Sequence, residues 1–89
     1  MQWCVYVIEC ASGAYYTGST PDLDKRFRQH LDGKGARYTR MDKPRRIVAM
    51  APCDSKSAAL KLEAALKQLP RSAKAAWILE HTHEPKPSP

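Results

Sequence analysis

No apolar run in this sequence approaches the roughly 18–20 residues that a membrane-spanning helix needs, so no membrane partner is expected. Cysteine is sparse and odd in number. Cys4, Cys10 and Cys53 have no paired C-x-x-C spacing, which argues against both a disulfide framework and a zinc site. The expected compartment is therefore the reducing cytoplasm. No basic stretch leads into an apolar one at the N-terminus, so no secretory leader is expected. No internal repeat occurs. Acids are outnumbered, nine against fifteen Lys and Arg, for a formal net charge of +6. A hydrophobic fraction of 43% is too high for a disordered chain. Eighty-nine residues make one domain. A domain of that size buries roughly 60–65% of its unfolded-chain surface, enough for one small core but not for a deep cofactor chamber.

The charge is unevenly placed. Lys34, Arg37, Arg40, Lys43, Arg45 and Arg46 face a single acid, Asp42, within one segment. Net charge speaks to partners rather than fold, and clustered cations are the footprint of a phosphate backbone. The plainer reading is a merely solubilising excess.

Gln2 to Cys10, rich in Trp, Val, Tyr and Ile, is expected to be a strand, apolar on both faces and therefore central. Ala11-Ser12-Gly13 is a turn, and Ala14 to Ser19 a second strand of the same hairpin. Thr20-Pro21-Asp22 reads as a helix start, with Thr20 as N-cap and Pro21 in the first helical position. Leu23, Phe27 and Leu31 then form one apolar stripe, and Asp32-Gly33 ends the helix. Lys34 to Arg46 reads as a basic loop and Ile47 to Pro52 as a third strand. Asp54-Ser55 caps a second helix whose stripe is Ala59, Leu62, Leu66 and Leu69. A short third helix is expected over about Ser72 to Glu80, with Ala76 and Trp77 packing inward. Residues 81–89 read as a flexible, proline-rich tail after a domain spanning 1–80. The order ββαβαα predicts an α+β fold, a three-stranded antiparallel sheet flanked by helices.

Three groups of residues fit a simple core badly. A loop over residues 11–13 sets Gly18 opposite Tyr6 and Tyr16 opposite Ile8, so the two tyrosines share one face of the sheet. Arg26 and His30, four apart, share one face of the first helix, beside its apolar stripe. Glu63 leans over the stripe of the second helix, where an unpaired carboxylate is costly. Each group has an ordinary reading: tyrosines that pack, a solvated basic face with Lys25 and Arg28, and an i,i+4 pair of Glu63 with Lys67. Glu63 alternatively suits a hard cation bound through oxygen. Cys4 and Cys53 are expected as small core hydrophobes.

Together these residues resemble the GIY-YIG nuclease superfamily. Cys4-Val5-Tyr6 stands for the first motif and Tyr16-Thr17-Gly18 for the second, ten residues on. Ser19 to His30 resembles the family's first helix with its Arg and His. Ala59 to Lys67, containing Glu63, resembles its metal-carboxylate helix. Lys34 to Arg40 is similar to a Gly-Lys-Gly-Ala-(Arg/Lys)-Tyr-Thr-Arg segment found in small stand-alone bacterial members. The resemblance spans residues 2–80. The sequence departs from the family in having Cys4 for the first Gly, Thr17 for Ile or Val, and no asparagine.

The resemblance implies hydrolysis of DNA phosphodiester bonds with one divalent cation, Mg²⁺ or Mn²⁺. Glu63 would anchor the metal. Arg26 would donate to the phosphate oxygens, a task that suits its planar fork. Tyr6 would orient or deprotonate the attacking water, with Tyr16 and His30 beside it, and His30 is the competing base. Gly18 would keep space open for the phosphate. The nucleic-acid-binding set would be Lys34, Arg37, Tyr38, Arg40, Lys43, Arg45 and Arg46, with Tyr38 stacking on an unpaired base. Eighty-nine residues leave no room for a second, sequence-reading domain, so single-stranded or branched DNA is the expected substrate, with a role in DNA repair or recombination. A weakly catalytic or non-catalytic binding module acting with a partner protein is the alternative, and a homodimer is left open.

Overall fold

β1 (Cys4–Cys10) carries Val5, Val7 and Ile8 and is buried on both faces, with Val5, Val7, Ile8 and Cys10 inaccessible to solvent. β2 (Tyr15–Thr20) and β3 (Pro44–Pro52) flank it in an antiparallel sheet of order β2-β1-β3. These elements belong to a computed structural model that describes residues 2–34 and 41–82. Among the described residues the helices are α1 (Leu23–Leu31), α2 (Lys56–Lys67) and α3 (Arg71–Glu80), so the expected order ββαβαα holds.

Side-chain alternation along β1 divides the core in two. Tyr6, Ile8 and Cys10 point to one face and pack with Tyr16, Ile47 and the α1 residues Leu23 and Phe27. Val5 and Val7 point to the other, against Ala59, Leu62 and Leu66 of α2 and Trp77 and Ile78 of α3. Cys4 is buried and Cys53 packs beside Trp3, as small apolar groups would. The hairpin closes where expected: Cys10 N donates to Ala14 O at 2.8 Å, and Gly13 takes φ +91°, open to glycine without strain.

Several boundaries differ from the sequence reading. Thr20 is not the α1 N-cap, because it is the last residue of β2 and pairs with Cys4. Asp22 caps instead, its carboxylate accepting from Lys25 N at 3.2 Å. Thr20 Oγ1 accepts from Asp22 N at 3.1 Å and braces the bend between strand and cap. β3 begins at Pro44 rather than Ile47, so Arg45 and Arg46 are strand residues, not loop residues. Cross-strand pairing of Arg46 with Glu9 supports the extension. Leu31 is 55% exposed and Leu69 36%, each at or past a helix end that the sheet no longer covers. Ala76 is exposed, while the neighbouring Ile78 is buried and Trp77 half-buried. His81 and Thr82, expected in the tail, still dock on β3: Met50 N donates to His81 O, and Thr82 bridges to Ala49. Residues 83–89 lie outside the described residues.

The basic segment is tied at both ends. Lys34 N donates to Gln29 O at 2.9 Å. On the far side, Ala11 N donates to Lys43 O, while Ser12 N and Ser12 Oγ donate to the Asp42 carboxylate. Arg37, Tyr38 and Arg40 lie outside the described residues.

Candidate active site at the edge of the sheet

The register of β1 against β2 matches the expected one, with Tyr6 opposite Gly18 and Ile8 opposite Tyr16. Tyr6 and Tyr16 share the face that α1 covers, their ring centroids 6.5 Å apart. Gly18 does something other than keep space for a phosphate. The Tyr6 ring itself lies across it: a Cβ at position 18 would sit 2.5 Å from Tyr6 Oη and 2.6 Å from Cζ. The missing side chain lets a phenol rooted in the central strand carry its hydroxyl over the edge strand.

His30 comes to the same place from α1. It is buried to 1% exposure, which excludes a solvated basic face. Seven residues bring a helix back to within about 20° of its starting direction, whereas eight overshoot by about 80°. His30 thus stands in line with Leu23, and Leu31 turns outward. Its Nε2 lies 3.0 Å from Tyr6 Oη. Tyr16 stands edge-on to the imidazole at 5.2 Å between centroids. Arg26, one turn earlier on α1, extends over the hydroxyl end of Tyr6, and Gln29 Oε1 accepts from its Nη1 at 3.1 Å. Gln29 is a contact that motif reasoning missed, although the i,i+3 spacing encodes it.

Burial sets the protonation states. It pushes the Tyr6 phenol up to about 12, with the Arg26 guanidinium pulling the other way and Tyr16 and Glu63 adding to the rise. Burial, then the Arg26 charge, lowers His30 to about 4. Near neutrality the pair is an uncharged phenol hydrogen-bonded to an uncharged imidazole. With Nε2 bare, the phenol donates to it. With Nε2 protonated, the phenol oxygen accepts.

Glu63 approaches from the opposite face. α2 packs under β2, and Ser19 Oγ donates to Glu63 Oε1 at 2.5 Å. Lys67 Nζ meets Oε2 at 2.7 Å, so the i,i+4 pair expected on structural grounds exists. Burial favours the protonated acid, but hydrogen bonds from Lys67 and Ser19 together with the Lys67 charge outweigh it and hold Glu63 below the ordinary carboxylate range. Ser19 is the second contact that the motifs did not flag. It lies one residue past Gly18, on the other face of the strand. The edge of β2 at Gly18 and Ser19 therefore brings Tyr6, Tyr16, His30 and Arg26 from above and Glu63 from below.

Of the expected nucleic-acid contacts, Lys34, Lys43 and Arg45 are exposed. Arg46 is exposed and joined to Glu9 at 3.3 Å. Among the described residues, no helix is long and apolar enough to cross a membrane, and no group of three or more His, Cys, Asp or Glu side chains is placed to hold an ion. Glu63 therefore belongs to no such group among the described residues. Its single carboxylate does not fit zinc, but it fits a hard cation that keeps most of its waters and shares the substrate's phosphate oxygens.

A three-stranded sheet between helices, with a tyrosine, an arginine, a histidine and a glutamate meeting at one strand edge, defines a small domain of the nuclease superfamily expected from the motifs. The GIY-YIG catalytic domain matches residues 2–76, and the chain belongs to that family. It is 43% identical to UPF0213 protein XAC3202 of Xanthomonas axonopodis pv. citri, over 97% of this chain and 87% of that one. The solution structure of UPF0213 protein BH0048 from Bacillus halodurans superimposes with a TM-score of 0.59 at 41% identity, covering 90% of this chain and 85% of that one. Protein EF2693 of E. faecalis gives the same TM-score at 30% identity, covering 96% and 95%.

Proposed function

We propose that this protein is a divalent-metal-dependent endonuclease that hydrolyses DNA phosphodiester bonds, acting on single-stranded or branched DNA in repair or recombination. The observation that carries this reading is the convergence of Tyr6, His30 and Arg26 with Glu63 on the two sides of one strand edge. Mg²⁺ or Mn²⁺ held at Glu63 would supply charge stabilisation at the scissile phosphate. Lys67, half in solvent, gives up its ion pair at little cost when such a cation arrives. Arg26 donates to the non-bridging oxygens as charge develops on them. Tyr6 Oη orients the attacking water. A free phenolate is not needed: the hydroxyl takes a proton from water as it passes its own to His30 Nε2. A phosphate bound at Arg26 also masks the cation that helps keep His30 weakly basic, so the substrate itself prepares the acceptor.

Labelled single-stranded, duplex and branched DNA, incubated with Mg²⁺ or EDTA, tests the reading. Cleavage is expected with Mg²⁺ only, and a loss of roughly 100-fold or more in Glu63→Ala and Arg26→Ala. DNA binding by wild type and both variants, with no cleavage of any substrate, would overturn it in favour of a binding module.

A further inference from the structure

Several cations lie outside both the candidate site and the basic segment, and two of them, Arg71 and Lys74, share one pocket. Arg71 and Lys74 line an open pocket of about 220 Å³ together with Ala14, Tyr15 and Leu69. The pocket lies between the start of β2, the end of α2 and the first turn of α3. Tyr15 is half-buried, its ring packed on the cluster of Val7, Ala49 and Ile78, so it forms a fixed wall. Lys74 is half-buried as well. Among the described residues no acid lines the pocket. Among the described residues neither cation makes an ion pair, and Glu9, opposite Tyr15 in the ladder, is already engaged by Arg46. Two unpaired cations against an aromatic wall make a place for an anion joined to a flat or apolar group.

Its position says which anion. Ser19, which holds Glu63, and Tyr15, which walls the pocket, lie on the same face of the edge strand, four residues or about 13 Å apart. Along α2 and the turn that follows it, Glu63 and Leu69 are six residues or about 9 Å apart. Both rulers set the pocket roughly 9–13 Å from Glu63. Successive phosphates of one strand lie roughly 6–7 Å apart through space, about twice the ~3.4 Å rise along a duplex axis, so the interval spans about two phosphates. We propose that this pocket is a second phosphate subsite, in which Arg71 and Lys74 hold the backbone of the substrate strand about two nucleotides from the position at Glu63, with Tyr15 against the adjoining sugar or base. The inference rests on the nuclease reading and adds where the strand runs past the site.

The test is a DNA-binding titration by anisotropy in EDTA, between 50 and 200 mM salt. It compares wild type, Arg71→Ala/Lys74→Ala and the control Lys56→Ala/Lys61→Ala, which removes the same charge from the outer face of α2. The pocket variant should bind roughly tenfold more weakly at low salt, and its plot of log affinity against log salt should flatten by about one to two. The control should change much less, and melting temperatures should match. Equal losses in both variants mean a general charge effect and overturn the subsite. Inorganic phosphate, followed by amide shifts of Ala14, Tyr15, Arg71 and Lys74, separates the sources. Weak shifts that DNA displaces support a backbone subsite, whereas saturable phosphate binding that DNA does not displace assigns a free-anion pocket and overturns it. Wild type that binds no DNA overturns both this proposal and the nuclease reading. Wild type that binds and cuts while the pocket variant equals it overturns this proposal alone.

Discussion

Tyr6 shows how much one residue depends on another's missing side chain. Its ring is 1% exposed and cannot swing into solvent, so the close approach to Gly18 has no easy relief. Gly18→Ala is expected to destabilise the fold by about 1–3 kcal/mol through overpacking, to break the Tyr6–His30 hydrogen bond, and to abolish cleavage. Urea denaturation and a cleavage assay on the folded variant check it. A variant of wild-type stability and activity would show that the ring does not need the vacancy. The pairing of Tyr6 with Gly18 was legible from the hairpin loop alone. The reason for glycine was not, because it lies in where the far end of the Tyr6 ring, Cζ and Oη, comes to rest.

Among the elements, α1 decides the site. Its start is set by competition for Thr20, whose backbone the sheet claims, leaving Asp22 to cap. Asp22→Ala is expected to cost about 1 kcal/mol and Asp22→Asn little, read from thermal denaturation. A similar loss in both would point to charge rather than the hydrogen bond. The apolar repeat Leu23, Phe27 and Leu31 suggested a stripe at constant spacing of four. Helical periodicity is 3.6, so the inward direction moves to His30 by the last turn. That signal was in the sequence, but a titratable side chain at the inward position is read as polar surface until its partner Tyr6 is known. β3 shows the reverse: Pro44 to Arg46 look like loop by composition, and only ladder pairing with Cys10 and Glu9 makes them strand.

At the scale of the whole molecule, buried or bonded titratable groups give stability a defined pH window. His30 titrates at about 4 in the fold against an ordinary 6.5, and Glu63 is also lowered. The unfolded chain therefore binds more protons in acid: the His30 contribution, present above pH 6.5, is lost as pH falls toward 4, and the Glu63 contribution is lost below about pH 4.5. Tyr6 is raised to about 12 from 10, so its contribution holds below pH 10 and is lost on the alkaline side. Burial also raises the Cys4 and Cys10 thiols above 9.0, so their contribution starts to be lost near pH 9. Stability should be flat between about pH 7 and 8 and fall by roughly 2 kcal/mol from His30 alone between pH 7 and 4.5. Urea midpoints at the two pH values measure it. His30→Gln, which keeps an acceptor for Tyr6, should remove that part of the acid loss, and an undiminished loss would place the proton elsewhere.

The sequence by itself determined the order of the elements, the hairpin register, and the membership of Tyr6, Arg26, His30 and Glu63 in one set, because periodicity, turn residues and motif spacing are local properties of the chain. The tertiary structure alone decided that the set meets at the edge of β2. Glu63 and His30 are carried by different helices on opposite faces of the sheet, and only packing across the central strand brings them to one edge. It also decided the protonation of that set, because desolvation depends on what covers a side chain and not on its neighbours in the chain.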